Sequence, residues 1–236
     1  MKKLFLLFIL FFTAFTYGQN AEKIVDDYLK AIGGDKLEEV KSIKQKGHMM
    51  MQGMDFPMET YQDISGKMYT KMNMMGQDII ATAFDGQKGF MFDNATFGYK
   101  DIPDSLSQSF KEKAKNMFGY FYKYKDQHHK IKYLGTKKTD SVTYELVQLI
   151  LNKPMQGVNE VTAYFNPKTH LLDVVEINKD NHIVLTKSTD YKNFGDIKLP
   201  TKVTTEVDGN PVVTIKMDEV FINPPAPDAS IFKKPE

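Results

Sequence analysis

The feature that most constrains the fold is a change in hydrophobic period at Ile43. From there to residue 102, and again from 130 to 221, apolar and polar residues alternate in short segments. A period of two is typical of β-strands with one buried face. Tight turns such as Asp85-Gly86 and Asp208-Gly209 separate the segments, which predicts antiparallel hairpins. We expect strands over 43–52, 56–64, 67–74, 78–84, 88–93, 97–102, 130–137, 142–151, 158–166, 171–178, 182–190, 198–208 and 211–221.

Helical spacing replaces this alternation in three places. Asn20 is a candidate N-cap for an N-terminal helix that ends at Gly33-Gly34, and Asp35 can cap a short helix over 35–43. In mid-chain, Asp104 or the following serine can cap an amphipathic helix over 104–121. A long run of hairpins curls into a barrel or half-barrel, and helices can plug or cover its concave side. An outer-membrane barrel is disfavoured, because charged residues occur on both faces of many strands.

The first 18 residues are typical of a secretory signal peptide. Two lysines precede an apolar run over 4–12, and small or weakly polar residues lead to Gly18. We expect cleavage before Gln19, because an uncleaved anchor would need a longer apolar run to span a bilayer. Residues 19–236 then form a single domain with an extended, proline-rich C-terminal tail. The sequence contains no cysteine for disulfides or lipid attachment, so we expect an exported periplasmic protein that is not an integral membrane protein.

Charge and motif content exclude several function classes. The 31 basic residues are all lysine and are balanced by 30 acidic residues, so no net field attracts nucleic acid. Lysine lacks the planar fork with which arginine grips phosphate or carboxylate groups. Known nucleophile, zinc-protease and phosphate-loop motifs do not occur. We therefore expect a monomer that is not an enzyme and needs no cofactor.

Five segments occur in an order that resembles a known family. They are YLKAIGGDKLEEVKSI (28–43), FDGQKGF (84–90), AYFNPKTHLLDVVEI (163–177), YKNFGDIKLPTKV (191–203) and APDASIFKKP near the C-terminus. Together they resemble the outer-membrane lipoprotein-sorting-like proteins, relatives of the periplasmic carrier LolA. The resemblance implies an unclosed, strongly curved antiparallel β half-barrel, mainly β with α. An N-terminal helix and a mid-chain helix would cover its concave side, above an apolar cavity for lipid or the acyl chains of lipoproteins.

Methionine is concentrated where such a cavity would be lined. Nine of the 14 methionines fall between residues 49 and 75. In a strand, Met68, Met72 and Met74 share one face, opposite polar neighbours. Flexible thioethers can adapt to acyl chains of different lengths. The predicted cavity lining is Met49, Met51, Met68, Met72, Met74, Ile80, Phe84 and Phe90.

The mid-chain helix is a candidate lid over the cavity mouth. Its apolar stripe consists of Leu106, Phe110, Met117 and Phe118. Covering apolar surface and gating a cavity are both compatible with this stripe.

Two alternatives remain open from the sequence. Thioether and imidazole ligands suit Cu(I), and His48, Met50, Met54 and Met58 are close in sequence. The other alternative is an envelope sensing or adaptor domain on the same fold, which would bind a partner protein.

Overall fold

The computed structural model describes residues 20–115, 117–139, 141–155 and 157–235, without the side chains of 105, 112–115 and 155. The expected signal peptide therefore lies outside the described residues. Within them, no helix combines the length and the apolar character needed to cross a membrane.

Thirteen antiparallel strands form one unclosed sheet in the order β6-β5-β4-β3-β2-β1-β13-β12-β11-β10-β9-β8-β7. The first and last strands of the chain pair at its centre, and β6 and β7 are its two edges. This confirms the predicted mainly β half-barrel. The strands are β1 (Ser42–Met51), β2 (Met54–Asp63), β3 (Lys67–Met74), β4 (Gln77–Asp85), β5 (Gly89–Asp93), β6 (Gly98–Asp101), β7 (Lys130–Lys138), β8 (Thr143–Met155), β9 (Val158–Phe165), β10 (Leu172–Lys179), β11 (His182–Phe194), β12 (Ile197–Val207) and β13 (Asn210–Ile222).

The hairpin order gives the sheet two distinct ends. We call the end that carries the turns after β1, β3, β5, β8, β10 and β12 the distal end. The turns after β2, β4, β7, β9 and β11 lie at the other, proximal end, where β1 begins and β13 finishes. A 3-10 helix, Gly34–Glu39, also lies at the proximal end, directly before β1.

The N-terminal helix α1, residues 20–32, packs on the concave face of the β7–β13 half. Val25 and Ile32 are buried against β8 and β9, where Val147 and Phe165 are also buried. Tyr28 meets the Phe165 ring edge to face at 5.5 Å. These contacts form the largest core of the molecule.

The segment between β6 and β7 links the two edges of the sheet. It begins with helix α2 (Asp104–Lys115), from which Phe110 packs on Phe84 with ring centroids 5.6 Å apart. After the helix, Phe118 and Phe121 are buried in the α1 core. The segment therefore contacts both halves of the concave face.

The C-terminal tail covers the opposite, convex face of β2–β5. Ile231, in the 3-10 helix Ala229–Phe232, is buried against Tyr61, Tyr69 and Phe90. The two tyrosine rings stack at 5.7 Å. We call this convex side of the sheet the outer face.

Three helix boundaries differ from the sequence prediction. Asn20 is already helical and is not the N-cap of α1. The second helix is a 3-10 turn that ends at Glu39, and it begins after Gly33 without a side-chain cap. Helix α2 ends at Lys115 instead of 121, and Gly119 at φ 84° has a left-handed backbone that α-helix does not allow.

Candidate functional site

Strand pairing places a continuous apolar strip on the concave face toward the distal end. Met49 lies between Phe56 on β2 and Ile215 on β13. Met58 pairs with Met72 on β3. The strip runs from β4 to β12, because each of its residues except Met74, which pairs with Gln77, has an apolar or glycine partner on a neighbouring strand. We call this set the concave strip: Met49, Met51, Phe56, Met58, Met72, Met74, Ile79, Val203, Val213, Ile215 and Met217.

The strip lies on the same face as the two helices. Side chains alternate along β1, so Met49 shares a face with Ile43, which belongs to the α1 core. On β3, Met72 shares a face with Met68, which packs with Phe84 and Phe110 under α2. Most side chains of the strip are half-buried, in contrast to the fully buried side chains beneath the helices. The strip is therefore concave apolar surface that remains accessible.

A row of uncharged polar side chains separates the strip from the proximal core. Gln45 pairs with Thr60, Thr60 with Thr70, and Thr70 with Thr82 across β1 to β4. These hydroxyl and amide groups donate and accept hydrogen bonds without carrying charge. The concave face thus combines apolar surface with neutral hydrogen-bonding groups.

Four predicted lining residues, Met49, Met51, Met72 and Met74, lie in the strip. Met68 and Phe84 share its face but are buried beneath α2.

The structure places Ile80 and Phe90 on the outer face, in the cluster beneath the C-terminal tail. A β-bulge explains Ile80, because Thr70 pairs with Thr82 while Lys71 pairs with Ile80. The extra residue turns Ile79, instead of Ile80, toward the strip. Phe90 pairs with Ala83, which also belongs to the outer cluster.

Sequence reasoning did not predict seven members of the strip as lining residues: Phe56, Met58, Ile79, Val203, Val213, Ile215 and Met217. The alternate apolar positions 213, 215 and 217 are visible in the sequence. Their neighbours on β1 are more than 160 residues away in the chain, so no local pattern could show the contact.

The four residues of the copper alternative are divided between the two faces. His48 and Met50 pair with Pro57 and Asp55 on the outer face, whereas Met54 and Met58 face the concave side. His48 instead lies between two carboxylates. Its Nδ1 is 3.0 Å from Asp55 Oδ1, and its Nε2 is 3.5 Å from Asp218 Oδ2. Among the described residues, no group of three or more histidine or acidic side chains is arranged to hold a metal ion.

The four lid residues do not form one stripe. Leu106 is exposed at the start of α2, and Phe110 packs on β4. Met117 and Phe118 follow the helix and pack on the α1 core. The segment contacts both halves of the sheet through separate side chains.

Two further cavities lie outside the strip. One, of 280 Å³, lies between α1 and strands β7 to β9 and is lined mainly by polar side chains. There the Tyr133 hydroxyl donates to Glu145 Oε2 at 2.5 Å. The Lys23 ammonium donates to Asp27 and holds the pKa of that carboxyl below its usual value. The other, of 680 Å³, is a groove at the proximal end beside Phe221 and Asn223.

Comparisons with known proteins identify the fold. No protein-family model and no curated protein matches the chain. Among solved structures, an outer membrane lipoprotein-sorting protein domain from Vibrio parahaemolyticus superposes with a TM-score of 0.63 at 11% identity, covering 91% of this chain and 97% of that one. A DUF1329 family protein from Desulfovibrio piger gives 0.57 at 10% identity, over 89% and 96% of the two chains.

A LolA superfamily protein from Nitrosomonas europaea gives a TM-score of 0.55 at 12% identity, covering 92% of this chain and 98% of that one. Matches over nearly the whole of both chains, at identities this low, establish a shared fold. The chain therefore has the fold of the LolA-like, lipoprotein-sorting-like proteins.

Proposed function

We propose that this protein is an exported periplasmic binding protein, or carrier, for a lipid or an acylated ligand of the lipoprotein type. The observation that carries the proposal is the concave strip, a half-buried apolar surface continuous over strands β4 to β12. Half-buried apolar surface in a concavity binds apolar ligands because covering it removes about 25 cal/mol per Å² of unfavourable contact with water. The fold shared with lipoprotein-sorting-like structures supports this assignment.

The chemistry of the strip favours acyl chains over rigid apolar ligands. Six of its eleven members are methionines, whose unbranched thioethers change rotamer readily to follow a flexible chain. The neutral row of Gln45, Thr60, Thr70 and Thr82 offers partners to an ester or amide group next to such a chain. Binding of this kind needs no cofactor and no covalent step.

Native mass spectrometry of the protein, purified without detergent, tests the proposal. We expect an added mass of several hundred daltons, about that of one lipid, which denaturation releases. An added copper mass would support the methionine–histidine alternative instead. Purification as a stable complex with a second protein, with no lipid mass, would favour the adaptor alternative.

A matched pair of variants tests whether the strip is the binding surface. Met72→Gln places an amide within the strip, whereas Met75→Gln changes a neighbouring methionine that is 98% exposed at the turn after β3. We expect Met72→Gln to weaken binding of a fluorescent fatty acid about tenfold, because an amide is desolvated against the acyl chain without a partner. Met75→Gln should bind the probe as the native protein does. Equal affinity in both variants, with unchanged thermal stability, would contradict the assignment of the strip.

A further inference from the structure

One exposed apolar side chain stands at each of five hairpins at the distal end. Met75 and Phe97 lie in the turns after β3 and β5, and they are 98% and 81% exposed. Met54, Ile183 and Val212 lie within three residues of the turns after β1, β10 and β12, and they are also exposed. We call these five side chains the distal tips. Their hairpins are consecutive neighbours in the sheet, from β6-β5 to β11-β10.

The proximal end differs. Within the part of the chain that the structure describes, Ile64 is the one large apolar residue exposed at a proximal hairpin turn, and Phe221 is also exposed near the proximal end of β13. The proximal turns are mostly polar, as in Ser65-Gly66 and Asp85-Gly86. Single exposed apolar residues are common on protein surfaces, but a series of them at consecutive turns of one end is typical of an interaction surface.

The distal tips adjoin the concave strip at two hairpins. Met54 shares the concave face and pairs with Met51 of the strip, and Met75 follows Met74 at the turn after β3. An acyl chain that leaves a bilayer beside Met54 would therefore reach the strip directly.

We propose that the distal tips insert into a lipid bilayer surface and that ligand enters and leaves the concave strip through this end. The inference rests on the proposed function, because it specifies the surface with which the same site exchanges its ligand. A bilayer fits the tips better than a protein partner does. The five exposed apolar side chains stand on five separate hairpins, so each can be buried independently among headgroups and acyl chains.

The charges near the tips predict which membranes would bind. Asp78 and Asp208 are exposed at the distal end, as are Lys100 and Lys179. Lys100 already pairs with Asp93 at 3.4 Å. Because both signs are present, we expect association to depend on apolar insertion and to gain little from anionic lipid or low salt.

Flotation of the purified protein with phosphatidylcholine vesicles tests the inference. The variant Met75→Ser/Phe97→Ser removes the two most exposed tips, and Ile64→Ser makes a matched change at a proximal turn. We expect the double variant to lose about tenfold in vesicle partition, because interfacial binding scales with the apolar area that is buried. Ile64→Ser should partition as the native protein does. All three proteins should bind the fluorescent fatty acid in solution with equal affinity.

The alternative outcomes separate the two proposals. If the native protein does not float, if Ile64→Ser loses as much as the double variant, or if flotation requires anionic lipid and is abolished by salt, the docking inference is overturned. If flotation depends on Met75 and Phe97 but the strip binds no fatty acid, the distal end is a membrane-docking surface and the proposed carrier function fails.

Discussion

The packing of α2 against the sheet can be tested through one side chain. Phe84 is 0% exposed, on the concave face of β4. It is enclosed by Met68, Ile102 and Phe110, and the Phe110 ring lies 5.6 Å away. Truncation to alanine in Phe84→Ala removes a complete ring from a site bounded by sheet on one side and helix on the other. Large-to-small changes of this kind cost about 3–5 kcal/mol, since the lost burial and the remaining cavity both destabilise.

The expected loss is large enough to measure by thermal unfolding. For a chain of 236 residues, each kcal/mol lowers the melting temperature by about 2–4 °C, so Phe84→Ala should melt about 6–20 °C below the native protein. Phe97→Ala is the control, because that ring is 81% exposed and its removal should change stability by less than about 0.5 kcal/mol. Circular dichroism in urea would give both free energies of unfolding.

A second variant locates the effect at the contact between helix and sheet. Phe84→Ala/Phe110→Ala should cost less than the sum of the two single variants, because both rings fill the same space. If Phe84→Ala costs less than about 1 kcal/mol, or if the two changes are additive, α2 does not pack over β4 as described.

Three further predictions concern other parts of the fold. Gly47→Ala should lower the free energy of unfolding in urea by more than about 2 kcal/mol, because the new Cβ would lie 1.9 Å from the Lys216 carbonyl oxygen. Native-like stability would show that β1 and β13 can separate locally at little cost in free energy. Ile231→Ala should cost about 2 kcal/mol in thermal unfolding through lost burial on the outer face, and no change would mean that the tail does not stabilise the sheet. The bond between His182 and Asp208 raises the histidine pKa above 6.5 and lowers the aspartate pKa below 3.8. The stability that His182 contributes is lost as pH rises through its raised pKa, and the stability that Asp208 contributes is lost as pH falls through its lowered pKa. The pair therefore stabilises the fold most between pH 3.8 and 6.5. In an NMR titration Asp208→Asn should lower the histidine pKa, and an unchanged pKa would refute the pairing.

The strands were predictable because their signals are local. Alternation and turn residues fix most boundaries within a few positions, as in the hairpin at Asp85-Gly86. Face assignments are less local, since one extra residue reverses every side chain beyond it. The bulge in β4 places Ile80 on the outer face and Ile79 on the concave face, and the local sequence does not indicate where the bulge occurs.

Half of the concave strip could not have been found in the same way. The sequence identified its methionines on β1 and β3 from alternation, but Val203 and Ile215 join them only through the pairing of β13 with β1 and β12. Local patterns likewise overestimated the helix after Asp104, which they extended to residue 121 through Gly119, a residue with a left-handed backbone.

The central pairing of β1 with β13 has a consequence for how the chain assembles. Ile43 pairs with Ile222, so the middle of the sheet joins residues from near the start and end of the chain. Hairpins such as β3-β4 can form as soon as their own residues are available, but the two sets of hairpins cannot merge until the last strand exists. Contacts of such long sequence separation form slowly. A chain interrupted before residue 210 would leave β1 and β12 as unpaired edges, open to pairing with other chains. Completion of synthesis is therefore a condition for folding, and truncated chains should aggregate instead of retaining a smaller half-barrel.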